Sequence, residues 1–167
     1  MGAFDPTKET ALNPQEVADH IAITQLLHRY FLAMDSWDYD LLESVFAPGA
    51  TMRYDALEGA DSTYPDMVPT FRSFNSHFSF MQHMPGQLLI ELDGDTARST
   101  NNLRAIHVQT STAGEENEWV IYGIYRDLHV RTDAGWRIQQ RVFRQTRTVG
   151  RLLPFDQVER YETPPWL

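Results

Sequence analysis

The second half of the chain constrains the fold most. "QLLIEL", "TARSTNNLRAIHVQ", "WVIYGIYRDLHVRT" and "WRIQQRVFRQTRTV" follow one another, parted only by Gly94-Asp95, a polar turn near Gly114, and Asp133-Ala134-Gly135. Segments rich in β-branched and aromatic residues between Gly and Asp punctuation predict four strands joined by hairpins. If residues 133 to 135 form a three-residue turn, Thr132 sits opposite Trp136, and Asp127 opposite Arg141, an acid facing a base across the ladder. One face of that hairpin then carries Leu128, Val130, Ile138 and Val142. The other carries Tyr125, Asp127, His129, Gln139, Arg141 and Phe143.

The first half reads as helices. Asn13-Pro14-Gln15-Glu16 supplies a cap, a proline at the first helical position and an acid at the third. The helix is expected to run to about Ala33–Asp35, with Ile23, Leu27, Tyr30 and Met34 at helical spacing. Asp38 is expected to cap a short second helix, "YDLLESVFA", stopped by Pro48-Gly49. A strand near "ATMRYDAL" and a loop over residues 55 to 70 come next. The spacing of Phe71, Phe74, Phe78 and Met81 then predicts a third helix, closed by Pro85-Gly86. Three helices against a long, curved antiparallel sheet make an α+β cone.

Composition limits what such a cone can do. The 167 residues, 42% of them apolar and nine of them phenylalanine, suit one domain with a real core. That domain is expected to span residues 1–167, with its core at about 14–150 and a C-terminal arm at 151–167. Fourteen basic residues against twenty-three acidic ones leave a formal charge of −9, with no basic stripe, so neither nucleic acid nor a membrane is an expected partner. The chain contains no cysteine, which excludes disulfides and thiolate chemistry. No apolar run approaches the roughly 18 residues of a membrane span, and a cytoplasmic protein is expected.

Three aspartates close the first helix in "YFLAMDSWDYDLL". Asp38 and Asp40 fall at the start of the next helix, where acids are favoured. Asp35 instead prolongs the apolar stripe of Leu27 and Phe31. It is either a partnered interior carboxylate, structural or functional, or a helix-end residue in solvent. "HFSFMQHMPG" offers His77 and His83 as partners. Their spacing of six does not suit two ligands on one helical face, and no HExxH, GxSxG or GxGxxG motif is present. No metal or cofactor is expected.

The order of "RYFLAMDSWDYDLLESVFAPGATM", a helix ending in "QH", "GDTARS" and "YRDLHVRTDAGWRIQQR" resembles the SnoaL-like branch of the nuclear-transport-factor-2-like superfamily over about residues 15 to 148. The resemblance implies a cone-shaped, mixed or antiparallel sheet around a pocket, with about three N-terminal helices, a cystatin-like α+β barrel. It is similar to scytalone dehydratase, bile acid 7α-dehydratase and hexachlorocyclohexane dehydrochlorinase. In those enzymes an aspartate ending the first helix and a histidine ending the third form a dyad, and Asp35 and His83 stand at those positions. By the same resemblance Tyr30 is a pocket tyrosine, and Arg141, in "GWRIQQR", either faces the ligand or pairs structurally with Asp127. His107, on one strand face with Asn101, Leu103 and Ala105, is a further polar candidate, as are Tyr125, Arg144 and Tyr122. The implied activity is a cofactor-independent lyase acting on a hydrophobic, ring-bearing small molecule. The alternatives are an isomerase, a polyketide cyclase or a non-catalytic binding protein on the same fold. A homo-oligomer, trimer or dimer, is implied as well.

Overall fold

The computed structural model describes residues 11–54 and 61–167. The N-terminal residues 1–10, the end of the strand expected near "ATMRYDAL" and the loop segment 55–60 lie outside the described residues. Helix α1 spans Pro14–Ser36 and opens on a complete capping box. The Glu16 backbone N–H donates to Asn13 Oδ1 (3.0 Å), and the Asn13 N–H donates to Glu16 Oε2 (2.7 Å). Its buried stripe includes Ile23, Leu27, Tyr30, Phe31 and Met34, and Trp37, in the left-handed conformation (φ 56°), ends it.

The expected second helix is only one 3-10 turn, Asp40–Ser44, with Asp38 Oδ1 accepting from the Leu41 N–H (3.2 Å). The chain enters β1 (Phe46–Tyr54) directly afterwards, so Pro48-Gly49 does not stop a helix. It occupies an irregular stretch of β1, where the register with its neighbour shifts and Gly49 takes φ 70°. β2 (Asp61–Thr63) pairs with β1, and α2 covers only Val68–Asn75.

The largest departure follows α2. The helical spacing of Phe71, Phe74, Phe78 and Met81 does not hold beyond Asn75. Ser76 Oγ donates back to the Ser73 carbonyl, and the Ser79 N–H already donates to Val108 O in the sheet. From Phe80 the chain is β3 (Phe80–Asp93), so Met81, His83 and Pro85-Gly86 are strand residues. Proline is tolerated there because β3 is an edge strand and the register slips between Pro85 and Leu88.

Long hairpins follow: β4 (Thr96–Thr110), β5 (Glu116–Thr132) and β6 (Gly135–Gly150). The six strands form one open sheet in the order β2-β1-β6-β5-β4-β3, with β1 and β6 parallel and the other pairs antiparallel. α1 packs on β3 and β6, inside the curve. The architecture is thus α+β with a mixed, unclosed sheet, two α-helices rather than three among the described residues, and a cone interior between them.

The β5–β6 turn is one residue shorter than expected, with Thr132 opposite Gly135 and Arg131 opposite Trp136. Asp127 nevertheless faces Arg141, because a bulge at Gln139 restores the offset. The bulge also changes the faces. Ile138 (0% exposed) turns inward with Tyr125, Asp127, His129, Arg141 and Phe143, while Gln139 leaves that face. Among the described residues no helix is long and apolar enough to cross a membrane.

Candidate active site

α1 and β3 meet at the cone wall. Asp35, in the last turn of α1, faces His83 on β3, and the Asp35 Oδ1 to His83 Nδ1 distance is 2.6 Å. Both carboxylate oxygens also accept from the His83 backbone N–H, at 3.1 Å each. Three contacts to one residue fix the imidazole with Nδ1 toward the carboxylate, which leaves Nε2 as the ring nitrogen for other chemistry. The His83 side chain is 8% exposed and that of Asp35 25%, so the aspartate lies at the rim of the interior rather than deep within it. His83 also packs nearly parallel to Phe31, with centroids 6.0 Å apart.

Beside His83 lies a cavity of about 70 Å³ walled by Tyr30, Tyr54, Phe71, Phe74, His107, Trp119, Tyr125 and Phe143, among others. A much larger cleft of about 840 Å³ opens on the other flank of α2, between Trp37, Arg72 and residues 160–164, but neither Asp35 nor His83 reaches it. Aromatic walls with a few converging polar groups favour the smaller space as the site.

Four of the residues expected at a site line this cavity together: His83, Tyr30, His107 and Tyr125. The Tyr30 and Tyr54 hydroxyls are 3.0 Å apart, so one phenol donates to the other, which keeps a proton of its own. Burial pushes the Tyr54 and Tyr125 phenols well above their ordinary range, which keeps both protonated. His107 is 3% exposed with its ring centroid 5.8 Å from that of His83. Burial first, and the nearby His83 second, lower its pKa to about 3, so it is a neutral imidazole at physiological pH.

The other expected residues are placed elsewhere. Arg141 stands one layer behind the lining, 0% exposed, with Nε and Nη2 donating to the two Asp127 oxygens at 2.8 and 2.7 Å. Its guanidinium carbon lies 3.9 Å from the Tyr30 ring centroid and 4.4 Å from that of Tyr125. Asn101 is buried on the same inner face but outside the lining. Arg144 and Tyr122 alternate to the outer face. Arg144 sits there in a shallow groove with Arg53 and Arg126, because strand period two sends Phe143 inward and Arg144 outward. His77 stacks on Phe155 of the C-terminal arm, centroids 4.1 Å apart, away from the dyad.

Two polar lining residues, Tyr54 and Asn75, escaped the sequence reading. Tyr54 lies on β1, whose inward face the sequence reading did not assign. Asn75 was hidden by the assumption that the aromatic helix continued past it. Among the described residues no three His, Asp or Glu side chains converge as a metal centre would require.

The chain is similar to several known proteins. An uncharacterized Mycobacterium tuberculosis protein, Rv2910c, is 37% identical over 133 residues, covering 78% of this chain and 88% of the relative. Among solved structures, a provisional scytalone dehydratase from Novosphingobium aromaticivorans superposes with a TM-score of 0.71 at 20% identity, covering 86% of this chain and 93% of that one. The hexachlorocyclohexane dehydrochlorinase LinA-type3 from Novosphingobium barchaimii gives 0.66 at 15% identity, covering 83% and 96%. These two share the fold, as does a nuclear-transport-factor-2-like protein. The SnoaL-like domain family matches residues 15–142, most of α1 through the middle of β6. The chain belongs to the SnoaL-like family, on the nuclear-transport-factor-2-like fold.

Proposed function

We propose that this chain is a cofactor-independent lyase in which His83 removes a carbon-bound proton and a β-hydroxyl or similar group leaves. The observation that carries the reading is the 2.6 Å contact between Asp35 and His83 Nδ1 at the wall of an aromatic-lined cavity. Asp35 holds the tautomer in which Nε2 is the base, and offsets the imidazolium charge that develops. The electron pair of the broken C–H bond moves into an adjacent carbonyl, where the spare proton of the Tyr30–Tyr54 pair can hydrogen-bond the growing oxyanion. The pair then returns to form the carbon–carbon double bond as the C–O bond breaks. The His83 proton goes to the departing hydroxyl, which leaves as water. His107, held neutral, contributes hydrogen bonding rather than a proton. The walls favour an apolar ring, and a cavity of about 70 Å³ favours a compact one. In the dehydrochlorinase that shares the fold, as its name states, the leaving group is chloride.

The test uses a panel of small cyclic β-hydroxy ketones, with enone formation followed by absorbance. Asp35→Asn and His83→Ala are expected to lower kcat by about a hundredfold or more, with ligand Kd changed by less than about threefold. Variants that retain the wild-type rate would sink the proposal. The reading extends to assembly as a homo-oligomer, trimer or dimer. β3 supports it as an unpaired edge strand with Leu89 46% exposed, and sedimentation of the full chain tests it.

A further inference from the structure

Five buried side-chain polar atoms among the described residues have no partner within the protein. Two of them, Asn75 Oδ1 and His107 Nδ1, belong to residues lining the cavity; the other three, on Asn101, His129 and Arg141, do not. Asn75 closes α2, is 1% exposed, and shares the inward side of that helix with Phe71. Its Nδ2 donates to the Tyr39 hydroxyl at 3.0 Å, and Tyr39 is itself 4% exposed with the Arg72 guanidinium 4.7 Å above its ring. One end of the amide is therefore pinned from behind, and the other end has nothing to bond.

Exchanging the amide oxygen and nitrogen does not relieve this. The Tyr39 hydroxyl can donate or accept, so it satisfies whichever atom faces it, and the far atom stays unpartnered either way. An apolar residue of similar shape would hold the wall without that cost. A ligand hydroxyl at the far atom would be matched in both orientations, donating to Oδ1 or accepting from Nδ2.

We propose that Asn75 is a specificity-determining residue that hydrogen-bonds a hydroxyl carried on the ring of the ligand, with Tyr39 as its positioning residue. This rests on the reading of the cavity as the substrate site, and adds a substrate class to it: compact rings bearing a hydroxyl, in preference to bare hydrocarbon or halogenated rings of the same size.

The test titrates the full chain with phenol and with fluorobenzene, followed by amide NMR shifts, in the wild type, Asn75→Leu and Tyr39→Phe. The wild type is expected to favour phenol by about tenfold or more, and Asn75→Leu to bind the two within about twofold of each other. Tyr39→Phe is expected to weaken phenol while leaving the fluorobenzene Kd unchanged, which a merely structural loss would not do. A phenol preference that survives Asn75→Leu overturns the proposal, and so does a wild type that prefers neither probe or binds neither. If Asn75→Leu does not fold, a wild-type crystal soaked with 4-bromophenol decides. The hydroxyl oxygen is expected within about 3.2 Å of the Asn75 amide, and a hydroxyl bonded elsewhere overturns the assignment. Turnover by His83 is read separately, so loss of the lyase reading with the phenol preference intact leaves Asn75 assigned.

Discussion

Among the described residues Arg141 is the largest fully buried side chain, and its carboxylate partner Asp127 is equally buried. Burial alone would pull its pKa down, but Asp127 overrides that and keeps it well above the ordinary arginine value. Its guanidinium lies against the Tyr30 and Tyr125 rings, which line the cavity, while Arg141 itself does not. Arg141→Ala should therefore cost about 3–5 kcal/mol in urea unfolding, because it strands the Asp127 charge, whereas Arg141→Met with Asp127→Leu should recover much of that loss. A single variant as stable as the wild type would contradict the pairing. In the sequence the Asp127–Arg141 facing rests on a three-residue turn; the turn has two residues, and the pairing holds only because the bulge at Gln139 restores the offset. The choice between ligand contact and ion pair was not legible, because it depends on what stands between Arg141 and the cavity. Asp35 was half legible: a carboxylate on an apolar stripe asks for a partner, but the pattern left a helix end in solvent equally open, and the resemblance named His83. Its quarter exposure was not legible, because depth depends on the packing of α1 against β3.

Elements were legible where period and punctuation agreed, as in α1, the second half of β3 and the three long strands after it. They were misread where a local pattern competed with sheet pairing. The aromatic spacing after Phe71 fits a helix, but Ser79 and Phe80 pair with Val108, and the ladder prevails. That changes the element that carries His83 without changing where the residue ends up. Bulges were illegible, because the extra residue at Gln139 shows only once the partner strand is in place. β5 also comes close to β6 at Gly123, where an added Cβ would run into the Phe143 ring and fall 2.8 Å from the Arg144 carbonyl oxygen. Phe143 lines the cavity, and the carbonyl is backbone that cannot swing away. Gly123→Ala should cost about 1–3 kcal/mol in denaturant unfolding and weaken fluorobenzene binding, whereas Gly94→Ala, a turn position with no neighbour within 4 Å, should leave that binding unchanged. Equal ligand affinity in wild type and Gly123→Ala would show that Phe143 does not shape the cavity.

At the scale of the whole molecule, the two most deeply buried of the described histidines set an acid limit. Burial lowers His107 from its ordinary 6.5 to about 3, and burial with Arg141, partly offset by Asp127, lowers His129 to about 4. Between those values and 6.5 the unfolded chain binds protons that the folded chain refuses. Their contribution to stability is therefore complete above pH 6.5 and is lost as the pH falls toward 4 and 3. Each proton is worth about 1.4 kcal/mol per pH unit. His107→Gln should lower the slope of unfolding free energy between pH 6 and 5 by nearly one proton, and an unchanged slope would mean that His107 titrates normally. The central claim is narrower: His83, held by Asp35, takes a proton from carbon. The most direct measurement is deuterium uptake at the α-carbon of small cyclic ketones in D₂O, which needs no leaving group. The account predicts uptake catalysed by the wild type and reduced by about a hundredfold or more in both His83→Ala and Asp35→Asn. Uptake unchanged by those substitutions would contradict it.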